Sequence, residues 1–153
     1  MTNEHIRNGD EIKLKEGNII SENSKIKDML DNAKTIAVLG LSPKPGRDSN
    51  MVARYLQKRG YKIIPVRPGQ KEILGEKVCE SLDEIDAFVD IVDVFINPAK
   101  LMPHVEKTIR LKPKVFWMQL TVENEKAAEI LTKAGIDVVM NRCIMIDHED
   151  LCK

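Results

Sequence analysis

The sequence predicts an α/β domain built on a doubly wound parallel sheet of five or six strands, with helices on both faces in three layers. Short apolar runs recur at 36–39, 63–66, 91–96, 115–120 and 136–140, and each is continuously apolar rather than alternating, as in strands covered on both sides. Segments of helical period separate these runs, so that strand and helix alternate along the chain. The length of 153 residues accommodates one such unit and no second.

In order, residues 1–23 mix Asn, Gly, Glu and Lys without a sustained period and read as an N-terminal arm, with a short strand around 12–14. The domain proper spans 24–153. Ser24 suits a helix N-cap, and Ile26, Met29 and Leu30 form an apolar stripe behind it. After the first strand, Met51, Val52, Tyr55 and Leu56 have helical spacing; Leu101, Met102, Val105 and Ile109 repeat it, as do Ala127, Ala128, Leu131 and Ala134. Gly60 and Gly135 follow the first and third of these segments, where a left-handed C-cap favours glycine. A sixth, edge strand is expected near 77–79. Right-handed crossovers then wind the chain outward from the first strand and back across it, the Rossmann-like arrangement, leaving a crevice at the carboxyl ends of 36–39 and 91–96. The loops 40–49 and 95–98 are expected to face each other there.

Lys plus Arg equals Asp plus Glu at 24 each, which excludes a bulk attraction for nucleic acid or an anionic membrane surface. No apolar run approaches the ~20 residues of a membrane span. Residues 1–10 are polar and lack the basic-then-apolar layout of a secretory signal, so a cytoplasmic protein is expected. Cys79, Cys143 and Cys152 are widely spaced and encode neither a disulfide framework nor a zinc site. His5, His104 and His148 fall in no nucleophile, triad or metal pattern, so they read as structural or solvated and no catalytic residue is assigned.

Charge is unevenly distributed. Between Gly40 and Lys71 the chain carries eight Lys and Arg against Asp48 alone, whereas Glu80, Asp83, Glu84, Asp86, Asp90 and Asp93 form an acidic run read as a solvated face. Within the basic stretch, Gly40 ends the first strand and Ser49 suits the cap of the next helix, so the helix N-terminus points at the intervening loop. Ser42 offers a hydroxyl, Lys44 and Arg47 offer charge to phosphate oxygens, and Pro43 and Pro45 stiffen the turn. The loop lacks the Gly-x-Gly-x-x-Gly fingerprint. At the end of the second strand, Pro65-Val66-Arg67-Pro68 places an arginine where an NAD site has an acidic residue. Arg67 suits a phosphorylated adenosine ribose, which describes coenzyme A and also NADP.

Opposite, Asn97 followed by Pro98 is a helix-start pair, and Phe95 at the strand tip suits packing on an adenine or a pantetheine arm. Gln119 is placed to bond an amide of a ligand. Cys143, after the last strand and beside the positive charge of Arg142, is placed to approach the coenzyme thiol and, by exchange with oxidised coenzyme A, to form a mixed disulfide.

These residues resemble a known family. Ile36-Ala37-Val38-Leu39-Gly40-Leu41-Ser42, Gly60-Tyr61, Ile64-Pro65-Val66, Ile73-Leu74-Gly75-Glu76, Asp90 to Phe95, Trp117-x-Gln119-Leu120 and Val138-Val139-Met140-x-Arg142-Cys143 with His148 behind occur in that order. Together the run from Thr35 to His148 resembles the small bacterial CoA-binding proteins related to the CoA-binding domain of succinyl-CoA synthetase α subunits. The resemblance implies a Rossmann-like domain holding coenzyme A or an acyl-CoA through Gly40, Leu41, Ser42, Lys44, Arg47 and Ser49. Contacts from Val66, Arg67 and Pro68, and from Phe95, Asn97 and Pro98, complete the set it implies. Two positions depart from the relatives, which commonly have Asn where this chain has Arg67 and often Arg where it has Asn97. The ligase's phosphohistidine domain is absent, so holding without catalysis is expected. The alternatives are an NADP-binding redox sensor or oxidoreductase domain, and an adaptor for an acyl-CoA enzyme that takes no ligand itself. A homo-oligomer or an acyl-CoA enzyme is the expected protein partner.

Overall fold

The computed structural model describes residues 6–8, 11–13 and 15–152. A hairpin of β1 (Ile6–Asn8) and β2 (Glu11–Lys13) precedes α1 (Asn23–Asn32). The α/β alternation then begins with β3 (Thr35–Leu39), α2 (Asp48–Lys58) and β4 (Lys62–Val66). A small two-stranded hairpin, β5 (Glu72–Ile73) and β6 (Glu76–Lys77), leads to β7 (Ile91–Val94). It is followed by α3 (Pro103–Leu111), β8 (Val115–Met118), α4 (Glu125–Lys133), β9 (Asp137–Val139) and α5 (Ile144–Leu151).

Five strands form one parallel sheet in the order β4-β3-β7-β8-β9. The chain leaves β3 on one side for β4 and returns on the other for β7, so β3 and β7 flank the switch point, as expected. In the sheet register Ala37 lies beside Val92 and Leu39 beside Val94, and alternate side chains enter opposite cores. Ile36, Val38, Ile91, Trp117 and Val139 pack with α1, α2 and α5 on one face. Ala37, Leu39, Val92, Phe116 and Val138 pack with α3 and α4 on the other. Burial on both faces is why these strands carry no polar alternation.

Several expectations are corrected. Ser24 lies inside α1; the N-cap position belongs to Glu22, whose side chain makes no capping bond. Asn97 does cap a helical start, its Oδ1 accepting from Ala99 N–H at 2.9 Å, but the element is a single 3₁₀ turn and α3 begins only at Pro103. The expected edge strand at 77–79 is not a sixth strand of the sheet: Lys77 ends β6 of the small hairpin, and Cys79 makes one parallel bridge to Val66. The expected strand at 12–14 is β2, with Leu14 and His5 outside the described residues. Part of the arm is paired with the domain: Ile19 bridges Val138 in parallel, Gly17 N–H donates to the Thr132 carbonyl at 2.7 Å, and Ile20 is buried.

The acidic run is not all solvated. Asp90 is buried and accepts from the N–H groups of Lys34 and Thr35 at 2.8 and 3.0 Å. Asp93 is fully buried in the middle of β7, between Val38 and Trp117, and both carboxyl oxygens lack a side-chain partner among the described residues. Burial pushes its carboxyl well above the usual carboxylate range.

Candidate functional site

Gly40 turns the chain off β3 with φ +89°, and a Cβ at this position would lie 2.6 Å from the Phe95 carbonyl oxygen. Only glycine lets the two loops at the switch point approach so closely. The turn is held from both sides: Gly40 N–H donates to the Val66 carbonyl at 2.8 Å and Phe95 N–H to the Leu39 carbonyl at 2.9 Å.

The rest of the loop is braced by α2. Ser42 N–H donates to Ser49 Oγ at 2.9 Å, Asn50 Nδ2 donates to the Ser42 carbonyl at 2.8 Å, and Lys44 N–H donates to Ser42 Oγ at 3.1 Å. Arg54 extends the brace to Asn50 Oδ1 and the Pro45 carbonyl, both at 2.9 Å. Ser49 is thus not the cap of α2; Arg47 holds that position without a side-chain capping bond, and Ser49 is a buried member of the first turn. Among the described residues the N–H groups of Asp48 and Ser49 have no acceptor, and they open toward the loop with the positive end of α2.

A polar cavity of about 700 Å³ lies over this turn, lined by Gly40, Ser42, Lys44, Arg47 and Ser49 and, from beyond β4, by Arg67 and Gln70. The basic stretch seen in the sequence divides here. Arg54 braces the loop, Arg59 stacks over the Tyr55 ring at 4.3 Å, and Lys62 pairs with Glu76 at 3.3 Å. Lys44, Arg47 and Arg67 form no ion pair among the described residues; Arg67 donates only to the Pro68 carbonyl, at 3.2 Å. Three unpaired cations around one concavity, with Asp48 as the single carboxylate in its lining, favour an anion.

A second cavity, of about 520 Å³, adjoins the first and shares Asp48 and Phe95 with it. Its wall includes Asn97, Pro98, Gln119 and Cys143, and it gains apolar surface from Met51 and Val52 of α2, Leu120 and Val122 after β8, and Met145 and Ile146 of α5. Gln119 is buried, and its Oε1 accepts from Ile144 N–H at 3.0 Å, capping α5. Cys143 is buried at the start of α5. The neighbouring Arg142 is already paired. Its guanidinium forks onto Asp147 at 2.7 and 3.0 Å and also reaches the Ser21 carbonyl and Asn23 Oδ1. This pairing raises the Arg142 pKa further.

Of the sequence-derived residues, Gly40, Ser42, Lys44, Arg47, Ser49, Arg67 and Phe95 meet in the polar cavity, while Phe95, Asn97, Pro98, Gln119 and Cys143 meet in the apolar one. Leu41 and Val66 are fully buried in the two cores, and they and Pro68 line neither cavity. Sequence reasoning missed α5. Its apolar spacing of Ile144, His148 and Leu151 is interrupted by a histidine, which is buried because its Nδ1 shares a hydrogen bond with Tyr55 Oη at 2.8 Å. Burial and the nearby Arg59 lower the His148 pKa, and burial pushes the adjoining Tyr61 phenol up to about 12. Without α5 the apolar cavity could not be foreseen.

A glycine turn, a braced helix N-terminus and unpaired cations at the switch point of a parallel sheet define the class: a Rossmann-like α/β domain with a cationic loop at its crevice. The chain belongs to the CoA binding domain family, whose model matches residues 34–149. It is 42% identical over 125 residues to the uncharacterized protein YneT of Bacillus subtilis, covering 82% of this chain and 93% of that one. It is also 42% identical over 82 residues to the α subunit of ADP-forming acetate–CoA ligase I of Pyrococcus furiosus, a match covering 50% of this chain and 18% of that subunit. Among solved structures, a hypothetical protein from Pyrococcus horikoshii superposes with a TM-score of 0.84 at 38% identity, over 87% of this chain and 94% of that chain. Among the described residues no helix is long and apolar enough to cross a membrane, and no cluster of His, Cys, Asp or Glu is arranged to hold a metal ion.

Proposed function

We propose that this domain holds coenzyme A across the switch point and carries out no chemistry of its own. The phosphates rest on the loop 40–49 against Lys44, Arg47 and the free amides of α2. The 3′-phosphorylated ribose lies toward Arg67, and the pantetheine arm passes Phe95 into the apolar cavity, ending near Cys143. One observation carries this reading: a cationic cavity and an apolar cavity meet at Phe95 and Asp48, which matches a ligand anionic at one end and extended and weakly polar at the other. The lining supplies one carboxylate, Asp48, and one thiol, Cys143, and no imidazole among the described residues, which supports holding rather than acid–base work. Exchange of the Cys143 thiolate with CoA disulfide would form a mixed disulfide and release one CoA thiolate; intact mass of wild type and Cys143→Ala reads it.

Calorimetry with CoA, dephospho-CoA, NADP and NAD tests the assignment. CoA is expected to bind tightest, with dephospho-CoA weakened at least tenfold. Equal binding of the two removes Arg67 from the 3′-phosphate, and binding of NADP alone replaces the reading with a redox class. Lys44→Ala with Arg47→Ala should weaken CoA and flatten its salt dependence. No binding of any nucleotide would favour the ligand-free adaptor.

A further inference from the structure

Resting on that reading, we infer that the apolar cavity is the seat of an acyl group, and that the ligand class is a neutral acyl-CoA thioester rather than free CoA or a dicarboxylic acyl-CoA. Large apolar side chains left in water mark a surface that something covers. Three of the exposed large hydrophobic residues, Met51 at 43%, Leu120 at 50% and Ile146 at 45%, stand around the mouth of this one cavity. They come from α2, the β8 exit and α5, so no single amphipathic element explains them. The cavity continues from the cationic one through Phe95 and Asp48, placing it where the sulfur end of a bound coenzyme must go.

Charge selects among thioesters. The lining contains no Lys, Arg or His, and its one acidic residue is Asp48. An acyl chain ending in its own carboxylate would enter without a counter-ion and beside a like charge. An uncharged hydrocarbon chain meets Val52, Leu120, Val122, Met145 and Ile146, and each methylene it buries tightens binding by about fourfold.

Calorimetry on the full chain with CoA, acetyl-CoA, butanoyl-CoA and succinyl-CoA tests the inference. Butanoyl-CoA, longer by two methylenes, is expected to bind about fifteenfold tighter than acetyl-CoA, and succinyl-CoA at least tenfold weaker than butanoyl-CoA. Ile146→Lys, at an exposed site, should narrow or reverse the succinyl–butanoyl gap. If CoA and every thioester fail to bind, the holding function itself is wrong. If CoA binds but affinity is flat with chain length, succinyl-CoA equals butanoyl-CoA, or Ile146→Lys leaves their ratio unchanged, the acyl seat is wrong while the CoA site stands. A concentration-dependent dimer, seen by light scattering and competing with thioester binding, would assign the mouth to a second copy and overturn it too.

Discussion

Ser49 Oγ accepts a hydrogen bond from the backbone N–H of Ser42 at 2.9 Å, so the first turn of α2 sets the shape of the loop that precedes it. Both groups are buried. Ser49→Ala leaves the Ser42 amide without its partner, at a cost of roughly 1–3 kcal/mol. Urea unfolding should show that loss, with a parallel drop in CoA affinity; an unchanged midpoint would mean the bond is not what shapes the loop.

Gly40 and Gly60 separate two effects that usually coincide. Both have φ near +90°, but a Cβ meets the Phe95 carbonyl at Gly40 and open space at Gly60. Gly60→Ala should therefore cost only the left-handed conformation, about 1–2 kcal/mol. Gly40→Ala should cost clearly more and weaken CoA binding, because the two loops of the crevice must part. Equal stability of the two variants would contradict the close approach.

Asp93 makes stability depend on pH in the unusual direction. The unfolded chain releases this proton above pH ~4, whereas burial in β7 holds it in the folded state to higher pH. The folded state therefore binds more protons in between, so the contribution to stability is complete below the unfolded pKa and is lost as pH rises through the folded pKa. Asp93→Asn should match the wild type near pH 4 and exceed it at pH 8. Denaturant midpoints at the two pH values decide; a variant less stable at both would show that the carboxyl has a bonded role.

The Arg142–Asp147 fork ties α5 to Ser21, just before α1, and to Asn23, its first residue. Both side chains are largely buried, at 27% and 11% exposure, so the pair is shielded from salt. Asp147→Asn should cost about 2–4 kcal/mol by leaving the guanidinium without its carboxylate, and added salt should change that loss little. A loss that vanishes at high salt would mark the fork as a surface pair.

The sheet and its switch point were readable because strands buried on both faces print as uninterrupted apolar runs, and because Gly40 and Ser49 bracket a loop rich in cations. What those cations do was not readable. Lys44 and Arg54 look alike in the sequence, yet one faces the cavity and the other holds the Pro45 carbonyl, a division fixed by the register of α2. Asp90 and Asp93 passed for surface because neighbouring acids set a pattern that the strand then overrides. The partners of Gln119 and Arg142 were not readable either: Ile144 and Asp147 sit in a helix that the sequence conceals behind His148.

Ile19 alongside β9 and Cys79 alongside β4 occupy the two flanks of the parallel sheet with single bridges. Neither flank presents a long row of bare amides and carbonyls to a neighbouring molecule, which blunts growth by strand addition. Self-association of this protein would consequently have to be built from side chains, and a substitution that frees residues 17–20 from β9 would expose a template for aggregation that the native chain keeps covered.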